Sequence, residues 1–315
     1  MDKIDFTICM MLMVNSRIPY RELAEQFNMS VNSIHKRIKS MVDLQIIEKF
    51  VTHLSFYAFD PIPINFVMFG MSKTKNPNDL IEKLGKNENI YNVSYHSGNL
   101  FIIHAHLRDS TKLDPLVSFV REVGQIPKLK VGLQTTPSQS TFEESKAGLY
   151  SKLDFFIIKS LKDNSRKTVA DIANEVGTST KTVRRHLNRM IEENLVNFSI
   201  NWYPDKGSET IAMIILDLEP NAIVNKTEFI DELYRKYSQK ILFSWAFSTL
   251  PNTIIVCVWT SKMKELQELE TSLRSDKVDS ISVNIGIKGI LFPTWRDQYL
   301  EKKIQELTEE KAISS

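Results

Sequence analysis

The chain carries one pattern twice. Residues 4–41 read IDFTICMMLMVNSRIPYRELAEQFNMSVNSIHKRIKSM, and residues 153–190 read LDFFIIKSLKDNSRKTVADIANEVGTSTKTVRRHLNRM. A gapless shift that lays Asp5 on Asp154 pairs identical residues at Asp5, Phe6, Ile8, Leu12, Asn15, Ser16, Arg17, Ala24, Ser30 and Met41. Their partners are Asp154, Phe155, Ile157, Leu161, Asn164, Ser165, Arg166, Ala173, Ser179 and Met190. Other aligned positions exchange one apolar residue for another, as Leu23 with Ile172 and Ile34 with Val183. The pattern of burial therefore repeats along with the letters, so the chain is expected to build the same local fold twice.

Each copy opens on an amphipathic helix, with Ile4, Ile8, Met11 and Leu12 at helical spacing in one and Leu153, Ile157, Ile158 and Leu161 in the other. Asn15-Ser16 and Asn164-Ser165 interrupt that period, because their side chains compete for nearby backbone groups. A second helix is predicted at YRELAEQF and VADIANEV, followed by a break at Asn28-Met29 and Gly177-Thr178. Ser30 and Ser179 then stand where an N-cap is needed for a third helix. Helix, tight turn and capped helix, with a small Ala24 or Ala173 where the pair must approach, is the helix-turn-helix order. The strands expected at IIEKFVTHLSF and LVNFSINWYP make it a winged variant.

The third helix has two faces. Ile34, Ile38 and Met41 share the apolar one, as do Val183, Leu187 and Met190. Opposite them the first copy offers Asn32, Ser33, His35, Lys36, Arg37 and Lys39 beside its cap Ser30. The second offers Lys181, Thr182, Arg184, Arg185 and Arg189 beside Ser179. These are donors suited to phosphates and base edges, and double-stranded DNA is the expected partner. A solvated surface helix has the same composition; the helix-turn-helix order, met twice, favours nucleic acid. The second copy is expected to lead base readout, because an arginine makes bidentate contacts that a lysine does not.

After each unit the pattern changes to strand, helix, strand, strand, helix, strand. The first series is INFVMFGMS, NPNDLIEKLGKN, IYNVSYHSG, NLFIIHAHL, STKLDPLVSFVREV and PKLKVGLQ. The second is ETIAMIILDL, NKTEFIDELYRKY, ILFSWAFS, NTIIVCVWT, SKMKELQELETSLRS and SISVNIGI. Both spell the ferredoxin-like βαββαβ order, so the expected class is α+β. The expected domains are a winged helix-turn-helix over 1–60 and a ferredoxin-like domain over 61–136. A polar linker over 137–149 precedes the second pair, over 150–207 and 208–290, and a C-terminal helix over 291–315.

Composition narrows the partners. A net charge of +2 means that any nucleic-acid surface is a local patch on an otherwise balanced chain. Cys9 and Cys257 are the only cysteines, each inside an apolar run, which gives neither a disulfide framework nor a zinc knuckle. The start lacks the pattern of a signal peptide, and ICMMLMV is too short to span a bilayer. The expected location is cytoplasmic, with no membrane partner. No phosphate-binding loop, dinucleotide fingerprint, zinc-protease helix or nucleophile elbow occurs, so no enzyme, cofactor or catalytic residue is expected.

His104 and His106 stand two apart on one predicted strand and share a face, with His96 on the strand before. Without a carboxylate or thiol at ligand spacing they suggest a small-molecule pocket rather than a metal. Trp245 and Trp259 lie on the corresponding second hairpin, where core packing or an effector cage would use them.

Taken together, the repeated features resemble the Lrp/AsnC family of bacterial and archaeal transcription regulators. The family's Asp, Asn-x-Arg, Leu-Ala, Ser cap and closing Ile are matched by Asp5, Asn15, Arg17, Leu23-Ala24, Ser30 and Ile46. The second set is Asp154, Asn164, Arg166, Ile172-Ala173, Ser179 and Leu195. The resemblance implies DNA binding and pairing through ferredoxin-like domains, here as a homodimer or as an internal pseudo-dimer. It also implies a small-molecule effector. The family's effector turn carries an acidic residue, whereas the corresponding turns here are Ser97-Gly98-Asn99-Leu100 and Thr249-Leu250-Pro251-Asn252. An amino-acid effector is therefore not carried over. Siroheme decarboxylases are similar to this family, which makes a tetrapyrrole enzyme the alternative reading. A protein-interaction module that has lost DNA binding is the third.

Overall fold

The computed structural model describes residues 1–134, 150–220, 225–237, 239–275 and 277–313. The expected linker, 137–149, lies outside the described residues. The fold is α+β, with two helix-turn-helix modules and two βαββαβ modules. Two compact units divide it, and each draws on both halves of the chain. One gathers residues from 1–63, 142–203 and 293–315; the other gathers residues from 64–141 and 204–292.

In the first unit, one module is α1 (Lys3–Val14), α2 (Tyr20–Gln26), α3 (Val31–Asp43) and β1 (Ile47–Leu54). The other is α6 (Lys152–Leu161), α7 (Val169–Val176), α8 (Thr180–Glu192) and β6 (Val196–Trp202), and α11 (Trp295–Ile313) joins the same unit. Both opening helices start in a capping box. Asp2 accepts from the Asp5 amide while Asp5 accepts from the Asp2 amide, and Ser151 and Asp154 do the same. The turn before α8 needs a left-handed residue, supplied by Gly177 at φ 68°. Asn28, at φ 50°, takes the equivalent place before α3.

The expected wings have a different use. Each module contributes one strand, and β1 pairs antiparallel with β6, Val51 opposite Ser199 and Thr52 opposite Phe198. The outer edge of each strand is closed by the other module. Ser165 donates its amide to the Phe50 carbonyl, Thr52 donates to the Lys162 carbonyl, and Ser16 donates to the Phe198 carbonyl. Leu54 and Phe59 of the first half enter the core formed by Phe155, Ile158, Leu161, Val183 and Leu187 of the second. Burying such a side chain contributes about 1.5–3 kcal/mol, so exchanged strands tie the modules together. Trp295 and Leu300 of α11 complete that core, where Lys159 and Lys162 meet Glu301.

The two Asn-Ser-Arg turns meet at the centre of this exchange. Ser16 and Ser165 are fully buried, and their hydroxyls lie 2.6 Å apart. The Arg17 guanidinium donates to the carbonyls of Ser165 and Lys167, and Arg166 donates to those of Ser16 and Ile18. The contacts are reciprocal, as a local two-fold axis requires. Burial, then the charge of Arg166, pulls the Arg17 pKa down.

The second unit holds β2 (Ile64–Met71), α4 (Pro77–Leu84), β3 (Ile90–His96), β4 (Leu100–Leu107), α5 (Leu113–Val123) and β5 (Lys130–Leu133). It also holds β7 (Thr210–Leu218), α9 (Lys226–Tyr237), β8 (Ile241–Ala246), β9 (Thr253–Thr260), α10 (Met263–Leu273) and β10 (Val278–Leu291). One sheet contains all eight strands, in the order β5-β2-β4-β3-β10-β7-β9-β8. Each half of that order is the ferredoxin-like arrangement. The join is β10, which runs beyond its expected end. Residues from Val278 to Ile285 pair with β7, and residues from Gly286 to Leu291 pair with β3.

One face of the sheet packs under the helices. Phe66, Met68, Phe101 and Ile103 form one such core, and Ile214, Leu216, Val256 and Val258 form the other. Alternation sends the next residues to the opposite face. That face is covered by the sheet itself. His104 of β4 lies 5.2 Å from Trp245 of β8, and Phe69 of β2 lies 6.2 Å from Phe247. The edges β5 and β8 meet at Gln134 and Phe247, and Ser248 donates its amide to the Leu133 carbonyl. Closure removes an exposed sheet edge.

Candidate nucleic-acid interface

The third helices α3 and α8 hold the expected DNA contacts. Ser30 caps α3 by accepting the Ser33 amide at 3.1 Å, and Ser179 caps α8 by accepting the Thr182 amide at 3.1 Å. Each serine hydroxyl also meets its neighbour's hydroxyl, Ser33 at 2.8 Å and Thr182 at 2.9 Å. The caps fix where each of these helices begins. Ile34, Ile38 and Met41 anchor α3, and Val183, Leu187 and Met190 anchor α8, all buried.

Over the first nine residues of each helix the exposed positions are the same five. In α3 these are Val31, Asn32, His35, Lys36 and Lys39; in α8 they are Thr180, Lys181, Arg184, Arg185 and Asn188. Their spacing of one, three, one and three residues makes a single stripe opposite the core. Val31, Thr180 and Asn188 are not among the contacts expected from sequence; the repeated spacing of the stripe is the signal that marks them. Among the described residues no ion pair engages Lys36, Lys39, Lys181, Arg184 or Arg185. The His35 ring sits edge-on to Tyr20 of α2, with centroids 5.7 Å apart.

Arg37 and Arg189 lie off that stripe and are already engaged. Arg37 donates to Asp2 at 2.8 Å and to Asp5 at 2.7 Å. Arg189 pairs with Asp154 and with Glu193, the latter at 3.0 Å. His186, aligned with Arg37, meets Asp154 at 2.7 Å. Asp154 has no exposed surface and also accepts the Ser151 amide at 2.6 Å. Asp5 and Asp154 thus tie the third helix of each module to its opening helix through Arg37 and Arg189.

The second unit gathers the expected ligand residues on the covered face of its sheet. His96 is hydrogen-bonded through Nε2 to Ser94 Oγ at 2.9 Å. His106 meets Asn65 at 2.6 Å and stacks on Tyr91 at 4.0 Å. His104 lies between Tyr91 and Trp245, with its Nδ1 buried and unpartnered. Trp259 is buried on β9. Burial lowers the pKa of His104 to about 4, and burial with the neighbouring His104 lowers that of His96 to about 4. Both imidazoles are neutral at pH 7. Among the described residues no three His, Cys, Asp or Glu side chains gather as metal ligands. Cys257 is buried, its thiol pushed up to about 12, and Cys9 is pushed higher still. No helix among the described residues is long and apolar enough to cross a membrane.

Residues 1–48 and 151–197 each match the family described as winged helix-turn-helix DNA-binding. The chain is 29% identical over 94 residues to an HTH-type transcriptional regulator of Methanocaldococcus jannaschii, covering 28% of this chain and 64% of that protein. It is 36% identical over 55 residues to an uncharacterised HTH-type transcriptional regulator of Pyrococcus furiosus, covering 18% of this chain and 37% of the other. The chain thus spans under two thirds of the length of these relatives. Among solved structures, the siroheme decarboxylase NirDL is similar over 98% of this chain and all of its own, with a TM-score of 0.54 and 11% sequence identity. That likeness is one of fold.

Proposed function

We propose that the chain is a sequence-specific transcription regulator of the Lrp/AsnC kind, in which two unlike reading heads on one chain form an internal pair. The observation that carries this is the matched stripe of five exposed side chains on α3 and α8, in two modules that match a DNA-binding family. The relatives named as transcription regulators support it. Arg184, Arg185, Lys181, Lys36 and Lys39 dock on phosphates and base edges, while Ser30, Ser33, Ser179 and Thr182 set the start of each helix. Asn32 and His35 complete the first reading face.

Binding of labelled genomic duplexes at several salt concentrations tests this reading. Log affinity should fall linearly with log salt as phosphate-bound ions are released. The double variant R184A/R185A should lose a few kcal/mol of specific binding in total. A flat salt dependence, or an unaltered affinity in that variant, would overturn it.

The effector of this reading is assigned to the covered face of the second unit, with His96, His104, His106, Trp245 and Trp259 as its lining. A competing reading, a siroheme-decarboxylating enzyme, draws on the same neutral imidazoles and on the shared fold. Anaerobic addition of siroheme separates the two. A bound absorption spectrum followed by loss of carboxyl groups would select the enzyme.

A further inference from the structure

We infer that the two heads read half-sites of different base composition: an A·T half-site under α3 and a guanine-containing half-site under α8. The inference rests on the DNA-binding reading above and goes further, because it names the bases.

The argument compares the two stripes position by position. Recognition helices touch base edges mainly with the residues of their N-terminal turns. The first turn of α3 presents Val31, 46% exposed, and Asn32. An isopropyl group at that place leaves much of its apolar surface in water. In the major groove it meets the thymine methyl, and a neighbouring asparagine matches the N6 and N7 edge of adenine. The aligned residues of α8 are Thr180 and Lys181, so this apolar-amide pair is confined to one head.

One turn further on, α8 presents Arg184 and Arg185, where α3 has His35 and Lys36. A planar guanidinium forms two parallel bonds to guanine O6 and N7, whereas an ammonium is a point charge better matched to phosphate. His35 leans on Tyr20, which draws its ring towards α2. Guanine recognition is therefore concentrated under α8.

Both modules are locked to one another through β1, β6 and the paired Asn-Ser-Arg turns. The unlike half-sites must then be offered together, in fixed order, on one duplex. The optimal operator is an imperfect inverted repeat whose two arms differ in kind.

Selection of duplexes from a random library by the full chain tests this. The expected winners carry one A·T arm and one guanine-containing arm at constant spacing. R184A/R185A should reduce discrimination for guanine in one arm by roughly tenfold or more and leave the other arm's preference intact. The four-residue exchange V31T/N32K/H35R/K36R gives α3 the exposed residues of α8 at those positions, and it should convert the preferred site to one with guanine in both arms. All six changes lie at exposed positions, so cooperative unfolding like that of the parent chain checks that the variants fold. A perfect palindrome selected by the parent chain would overturn the inference. So would salt-dependent binding without base preference, although DNA binding itself would then stand. Absence of any binding would sink both.

Discussion

At the scale of single residues, the aspartate at the start of each repeat ties two helices together. Asp154 is wholly buried and holds His186, Arg189 and the Ser151 amide. Asp5 is partly exposed, and its partner Arg37 retains Asp2 as a second acceptor. Removing one partner of a buried pair costs about 3–5 kcal/mol, and the exposure of Arg189 places Asp154→Ala near the lower end, at about 3. Asp5→Ala should cost less than Asp154→Ala, because the Asp5 pair is only part-buried and Arg37 keeps Asp2 as a partner. Urea unfolding of the two variants measures the difference; equal losses would contradict the assigned roles. The repeat made these aspartates visible in the sequence, but not their partners. Composition does not reveal which way a guanidinium turns, so the ion pairs of Arg37 and Arg189 become legible only in the structure.

His96 and His104 set a pH dependence at the same scale. Their folded pKa values are about 4, below the ordinary value of 6.5. Between those limits the unfolded chain binds more protons than the folded one, so stability falls as pH drops from 6.5 towards 4. Each pKa unit corresponds to about 1.4 kcal/mol, giving up to about 3 kcal/mol per histidine. His104→Phe should flatten the slope of unfolding free energy against pH by about one proton in that window. An unchanged slope would show that this imidazole does not stay neutral in the fold.

At the scale of elements, β1 and β6 show what periodicity leaves undetermined. Alternation in IEKFVTHL and VNFSINW predicts strands, and strands are present. Nothing local names the partner, because a strand's pairing depends on the chain that reaches its edge. Here the partner is the other module. Phe50 and Thr52 make backbone bonds with Ser165 and Lys162, which leaves Val51 to face Ser199 across the pair. Val51→Pro removes that donor and leaves a carbonyl unpaired, at about 1–3 kcal/mol beyond the lost packing. Val51→Ala keeps the donor and measures the packing alone. The proline variant should lose DNA affinity as well as stability if the heads act as a pair. Retained affinity for the two-armed site would indicate heads that act separately. The same lesson applies to β10, whose second half extends past the repeat because β3 of the other half offers it an edge.

At the scale of the whole molecule, both compact units draw on both halves of the chain. In the first unit β1 pairs with β6, and Leu54 and Phe59 complete the core around α6 and α8. In the second, β3 pairs with β10, and Trp245 covers His104. Residues 1–134 alone would therefore expose the edges of β1, β3 and β5 and several apolar side chains at once. Such a fragment has one favourable outlet, which is to pair β1 with β1 and the Asn-Ser-Arg turn with its own copy in a second molecule. Its stability would then depend on concentration, as for any obligate pair. Light scattering after size-exclusion chromatography should find a dimer or an insoluble product, and mixing with residues 150–313 should restore a one-to-one complex. A monomeric fragment with a cooperative unfolding transition at micromolar concentration would contradict the exchange of strands, and with it the argument that one chain must present both reading heads together.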